Sequence, residues 1–176
     1  GVYRNGAVAQ IEASHTIIAG NNAFTSSPDI LATLTSQGYN LIQNTEGAVI
    51  TGDLTGNILD ADPLLEDLAD NGGETPTHLL LAGSPAIDAG KPGAGIPNDQ
   101  RGIQRPQDGD GDGQSIRDIG AVENMQDSDN DGMPDSWEKQ NNLDPTVPDH
   151  SEYGIDKKYT NIEVYINSLV QNVIKL

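Results

Sequence analysis

The chain has 176 residues, and its 27 aspartates and glutamates outnumber its 9 lysines and arginines to give a formal net charge of -18. That excess works against nucleic acid or an anionic membrane surface as a partner. Hydrophobic residues make up 35% and aromatic residues 4%, a composition too poor in apolar side chains for a helical bundle.

From the start, residues 1–60 are poor in charge and rich in Val, Ile, Ala, Thr, Asn and Gly. Short apolar runs stand at Val2-Tyr3, Ala7-Val8-Ala9, Ile11, Thr16-Ile17-Ile18, Tyr39-Asn40-Leu41-Ile42 and Ala48-Val49-Ile50. Asn5-Gly6, Gly20-Asn21-Asn22, Gly38 and Gly47 separate them as turn residues, so the reading is of short strands. Ser14-His15-Thr16-Ile17-Ile18-Ala19-Gly20-Asn21 and Gly38-Tyr39-Asn40-Leu41-Ile42-Gln43-Asn44 look like imperfect repeats offset by about 24 residues, a solenoid spacing. The chain opens at Gly1 inside this strand-like pattern, as expected of a processed or truncated product whose earlier repeats lie upstream. There is no cysteine, so no disulfide framework, and no apolar run approaches the about 20 residues of a membrane span.

Residues 61–124 are rich in turn formers. Asp62-Pro63 fits either a helix start, with Asp62 as N-cap and Pro63 at the first helical position, or an extended segment; periodicity does not decide. Thr77-His78-Leu79-Leu80-Leu81 and Ala86-Ile87-Asp88 read as further short strands. Asp108-Gly109-Asp110-Gly111-Asp112-Gly113 puts acids at the first, third and fifth places of half a calcium loop; position twelve is Ile119, with Asp118 one residue early, so other ligands are needed. Asp108, Asp110, Asp112 and Asp118 form a second, weaker candidate metal site.

The strongest motif runs from Asp127 to Glu138. Asp127, Asp129, Asp131, Asp135 and Glu138 occupy positions one, three, five, nine and twelve of a twelve-residue loop, with Gly132 at six and the Met133 carbonyl at seven. This is the full ligand pattern of an EF-hand-type loop, and its all-oxygen donor set points to Ca2+. Converging carboxylates repel one another by about 4 kcal/mol per pair at close range, so such a loop is expected around a cation. A short helix is expected from Asp135 or Ser136 to Asn141-Asn142, and a second from Thr160, where Thr160-Asn161-Ile162-Glu163 spells a capping box. Ile162, Tyr165, Ile166, Leu169, Val170 and Val173 then form one apolar stripe, read as core. Trp137 is read as packing into a local core. His15, His78 and His150 show no nucleophile pattern, and structural or exposed roles are expected for them.

Residues 38–123 resemble the choice-of-anchor Q region at the end of bacterial right-handed parallel β-helix proteins. The resemblance rests on Gly38-Tyr39-Asn40-Leu41-Ile42, Gly52-Asp53-Leu54-Thr55-Gly56, Asp62-Pro63-Leu64-Leu65, Leu68-Ala69-Asp70-Asn71-Gly72-Gly73, Thr75-Pro76-Thr77-His78, Gly83-Ser84-Pro85-Ala86-Ile87-Asp88-Ala89-Gly90, Asp99-Gln100-Arg101-Gly102, Asp108 to Gly113, and Asp118-Ile119-Gly120-Ala121-Val122-Glu123. The tail resembles the calcium-loop tail of many bacterial pectate-lyase-like proteins, through Asp131 to Glu138, Leu143-Asp144-Pro145 and Tyr159 to Leu169. Relatives often carry a second acidic loop before the Tyr-Thr-Asn block; here Lys157 and Lys158 stand there, so a second complete tail site is not expected.

The resemblance implies a mainly β protein. Residues 1–124 would be the end of a right-handed parallel β-helix with a loop-rich cap, and 125–176 a small α-helical calcium-binding tail. It also implies a bacterial extracellular or cell-surface location. The functional expectation is a non-catalytic structural, adhesive or filament-forming segment, with self-association by end-to-end β-helix packing. The alternative is the C-terminal part of a secreted polysaccharide lyase whose active site lies upstream, with a polysaccharide as partner. Arg4 is the one basic residue in 1–60, and Arg101 and Arg105 are expected to pair with nearby acids. No catalytic residue is assigned.

Overall fold

The computed structural model describes residues 2–3, 11–22, 29–93 and 95–174. Arg4, the Asn5-Gly6 turn and the Ala7-Val8-Ala9 run lie outside the described residues. The chain divides into two compact units, Gly1–Asn124 and Met125–Leu176.

Among the described residues the first unit carries eight strands: β1 (Val2–Tyr3), β2 (Ile11–Ala13), β3 (Ile17–Ile18), β4 (Ile30–Leu31), β5 (Thr33–Gln37), β6 (Leu41–Ile42), β7 (Val49–Asp53) and β8 (Ile58–Leu59). They form a two-stranded sheet, β1-β4, and two three-stranded sheets, β2-β5-β7 and β3-β6-β8. All the strand pairs are parallel. The repeat read at an offset of about 24 residues reappears as register, with Ile17 opposite Leu41 and Ile18 opposite Ile42.

The expected end of a parallel β-helix is nevertheless corrected by this arrangement. Among the described residues the strands lie in separate small sheets, none closed and none continued as a solenoid. The strands are two to five residues long, and beyond Leu59 the turn-forming residues allow only isolated antiparallel bridges. What holds is the coarser reading, a strand-rich chain with little helix.

Two apolar clusters sit behind the sheets. Ala13, Ile30, Leu34 and Ile42 form one, and Leu41, Leu80, Ala86, Ile119 and Val122 the other. Adjacent Leu41 and Ile42 are both fully buried and fall into different clusters. Each fully buried Leu or Ile contributes about 1.5–3 kcal/mol. Asn40, also fully buried, accepts from the Thr16 N–H at 3.1 Å and donates to the Ala13 carbonyl and Ser36 Oγ, both at 3.0 Å. It thereby ties β2, β5 and the approach to β3 together without a charge. No lysine or arginine occurs between Arg4 and Lys91, so strands β2 to β8 contain no basic side chain.

Asp62-Pro63 does not start a helix. Asp62 Oδ1 accepts from the Leu64 N–H at 3.0 Å, Leu64 takes a φ of 50°, and the chain continues extended to bridge Leu65 to Leu80 and Ala69 to Thr77. Ala86-Ile87-Asp88 is a turn rather than a strand. Arg101 pairs with Asp99 at 2.8 Å and Arg105 with Glu123 at 3.3 Å, as their sequence neighbourhood suggested.

The second unit holds α1 (Asp135–Gln140) and α2 (Asn161–Ile174). The Glu163 carboxylate accepts from the Thr160 N–H at 2.8 Å and from Thr160 Oγ1 at 3.0 Å, so the glutamate of the capping box satisfies the N–H just before α2. Trp137 of α1 meets Tyr165 of α2 edge-on, ring centroids 5.1 Å apart. The apolar stripe is buried only in its first turns. Tyr165 is buried, but Ile166, Leu169 and Val170 are exposed, because so small a unit supplies few apolar partners.

Candidate metal centre

The 127–138 loop folds its first three acids inward. Asp127, Asp129 and Asp131 each place a carboxylate oxygen within 4.8 Å of the others. Backbone amides fix them: Gly132 N–H donates to Asp127 Oδ2 at 3.0 Å, Asp131 N–H to Asp129 Oδ1 at 3.2 Å, and Met133 N–H to Asp131 Oδ1 at 3.0 Å. Gly132 makes the turn with a φ of 93°, in the left-handed region that favours glycine. The Met133 side chain is fully buried.

Glu138 comes from the first turn of α1, is 0% exposed, and points into the same region. Asp131, Glu138 and Asp149 place carboxylate oxygens within 4.8 Å of one another. Neither oxygen of Glu138, nor Asp129 Oδ2, has a hydrogen-bond partner, although all three atoms are buried. Burial first, then the negative charges of Asp129, Asp131, Asp149 and Asp135, push the Glu138 carboxyl up to about 7. Asp129 is likewise raised, by burial and then by Asp131. A buried carboxylate without a donor costs several kcal/mol. Several such groups aimed together are suited to a cation, and an all-oxygen set suits a hard one.

Asp135 does not join them. Its carboxylate accepts from the Ser128 N–H at 2.7 Å and Ser128 Oγ at 2.8 Å, with Lys139 Nζ at 3.7 Å. It braces the loop from the side of α1. The acid from outside the loop is Asp149, which sequence spacing did not single out. Its N–H and that of His150 both donate to Asp131 Oδ2 at 3.0 Å. The signal that could have found it is its place just before the segment that leads into the Thr160 cap.

The second acidic stretch forms a looser group. Asp108 and Asp110 come together with Asp88 rather than with Asp112 or Asp118. Here the carboxylates already have donors. Asp88 Oδ2 accepts from the Gly109 and Asp110 N–H groups at 2.9 Å, and Asp108 accepts from Gly111 and Gly113 at 2.8 and 3.0 Å. Asp112 turns to Gln114. Asp118 is buried and accepts from the Asp88 and Asn124 N–H groups. Burial, followed by the charges of Glu123 and Asp88, pushes its carboxyl up to about 7.

His15 and His78 are occupied structurally, whereas the His150 ring is exposed, with Nδ1 3.8 Å from Asp131 Oδ2. His15 stacks on Tyr39 and accepts the Lys91 N–H at Nε2, 3.2 Å. His78 Nδ1 donates to the Glu66 carbonyl at 2.6 Å. A groove of about 810 Å³ in the first unit is bordered by both of them and by Asp62, Glu66 and Asp67, with no lysine or arginine among its lining residues. No helix among the described residues is long and apolar enough to cross a membrane. No protein-family model, curated protein or solved structure matches the chain.

Proposed function

We propose that this chain is a non-catalytic, calcium-stabilised structural segment, and that its second unit is clasped by one Ca2+ held among Asp127, Asp129, Asp131 and Glu138. The observation that carries the reading is Glu138, fully buried with both oxygens unpartnered beside other carboxylates. Calcium suits this set better than magnesium, because it takes six to eight oxygens at about 2.3–2.6 Å in flexible geometry. The ion would neutralise charges that otherwise oppose closure of the loop. It would hold α1, through Glu138, against the start of the loop.

A structural role in an extracellular medium, where calcium is abundant, agrees with the net charge of -18 and with modules of this kind that bind at about 10⁻⁴–10⁻³ M. A polysaccharide site within the described residues has no comparable support. Arg101 and Arg105 are engaged with Asp99 and Glu123, and the acid-bordered groove is electrostatically unfavourable for an anionic polysaccharide.

The test is thermal unfolding of the whole chain in chelator and in millimolar calcium, followed by fluorescence of Trp137, the single tryptophan. Millimolar calcium, at about 1–10 times such a dissociation constant, is expected to add about 0.4–1.4 kcal/mol to the stability of this unit. Identical melting in the two conditions would overturn the proposal.

A further inference from the structure

Asp149 stands outside the twelve-residue loop, yet it is tied to that loop more firmly than its sequence position requires. Its N–H and that of His150 grip Asp131 Oδ2, and its carboxylate shares the 4.8 Å neighbourhood of Asp131 and Glu138. The Glu138 oxygens it approaches are buried and have no donor, so this group of three acids faces a position that a cation would satisfy.

On its other side Asp149 is held by the first residue of α2. Asn161 Nδ2 donates to both the Asp149 carbonyl and Asp149 Oδ1 at 3.0 Å. Asn161 is fully buried, and its own Oδ1 accepts from the Gly154 and Ile155 N–H groups. Ile162 N–H reaches back to the His150 carbonyl at 3.1 Å. A donor placed behind a carboxylate in this way orients it toward a metal. The same bonds fix the entry into α2.

We infer that Asp149 is a direct ligand of the ion, and that the Asp149–Asn161 contact makes the first turn of α2 depend on ion binding. The inference rests on the calcium reading above and extends it to a second segment of chain. Without a cation, repulsion from Asp131 and Glu138 pushes Asp149 outward, and Asn161 loses the acceptor that anchors α2. With a cation, loop 127–138 and the start of α2 close as one piece.

The experiment titrates the full chain with calcium alone by calorimetry, for the wild type and for Asp149→Asn, Asp149→Ser, Glu138→Gln and Asp156→Asn. Asn keeps the shape and the Oδ1 acceptor of Asp149, and Ser supplies a second carboxylate deletion should Asn perturb the fold. Asp156→Asn removes one charge from the same segment outside the cluster. Both Asp149 variants are expected to bind calcium about tenfold more weakly or worse, with Asp156→Asn within about twofold of wild type. Calcium is expected to slow hydrogen exchange at the Val164 and Tyr165 amides about tenfold in the wild type. If the Asp149 variants bind like wild type while Glu138→Gln is weakened, Asp149 is not a ligand and the calcium reading stands alone. Exchange in α2 that ignores calcium overturns the coupling. A wild-type chain that binds no calcium overturns both readings.

Discussion

Replacing Glu138 by glutamine should stabilise the protein without calcium and destabilise it with calcium. Folding moves this carboxyl from an ordinary value of 4.5 to about 7, chiefly through burial. The neutral form is favoured in the fold, so the associated stability is present below about pH 4.5 and is lost as pH rises through about 7. At about 1.4 kcal/mol per pH unit, ionising Glu138 costs about 3 kcal/mol near pH 8. The Glu138→Gln side chain avoids that cost, and its amide N–H groups gain Asp131 and Asp149 as acceptors. In calcium-free buffer near pH 8 the variant should therefore melt higher, by about 4–8 °C per kcal/mol for a small domain, and the gain should fade below about pH 5. Saturating calcium should reverse the order, because the wild type alone offers a bidentate carboxylate there. Trp137, edge-on to Tyr165, reports the transition of this unit in both conditions. A variant that is less stable than wild type in calcium-free buffer, or that keeps its advantage in calcium, would refute the reasoning.

Asp118 gives the first unit a pH dependence of the same sign: with its carboxyl raised to about 7 by burial, stability should fall by about 2–3 kcal/mol between about pH 5 and 8. Urea unfolding at the two pH values should show the slope in wild type and a flatter one in Asp118→Asn. Asn40→Ala should cost about 2–4 kcal/mol, because it strands the Thr16 N–H and the Ala13 carbonyl in a buried place; a urea midpoint within error of wild type would count against the network.

The chemistry of the candidate site was more legible in the sequence than its membership. Spacing alone put Asp127, Asp129, Asp131 and Glu138 in one candidate set, and their carboxylates do gather in two groups that share Asp131, because a loop closed by a glycine at position six turns alternate side chains inward. It could not show that Asp135 would be taken by Ser128, since one local hydrogen bond decides which way a helix-start aspartate points. Nor could it bring in Asp149 or Asp88, whose proximity depends on how distant segments return. The Thr160–Glu163 cap was readable because its partners are three residues apart. In the first unit the repeat predicted the register of Ile17 with Leu41, yet the inferred architecture failed. Pairing register is a local property of matched strands, whereas continuation into a solenoid needs further strands, and after Leu59 the described chain forms turns and isolated bridges instead.

The absence of lysine and arginine between Arg4 and Lys91 has a practical consequence for dissecting the molecule. A protease that cuts only after basic residues finds no site anywhere in β2 to β8. Arg101 and Arg105 lie in ion pairs and Lys91 is followed by Pro92, a bond trypsin does not cut, whereas Lys157 and Lys158 are exposed. Trypsin should therefore nick the C-terminal unit first and release the sheets as one long fragment, so that the cutting rate at Lys157 and Lys158 becomes a direct clock for opening of the segment that leads into α2.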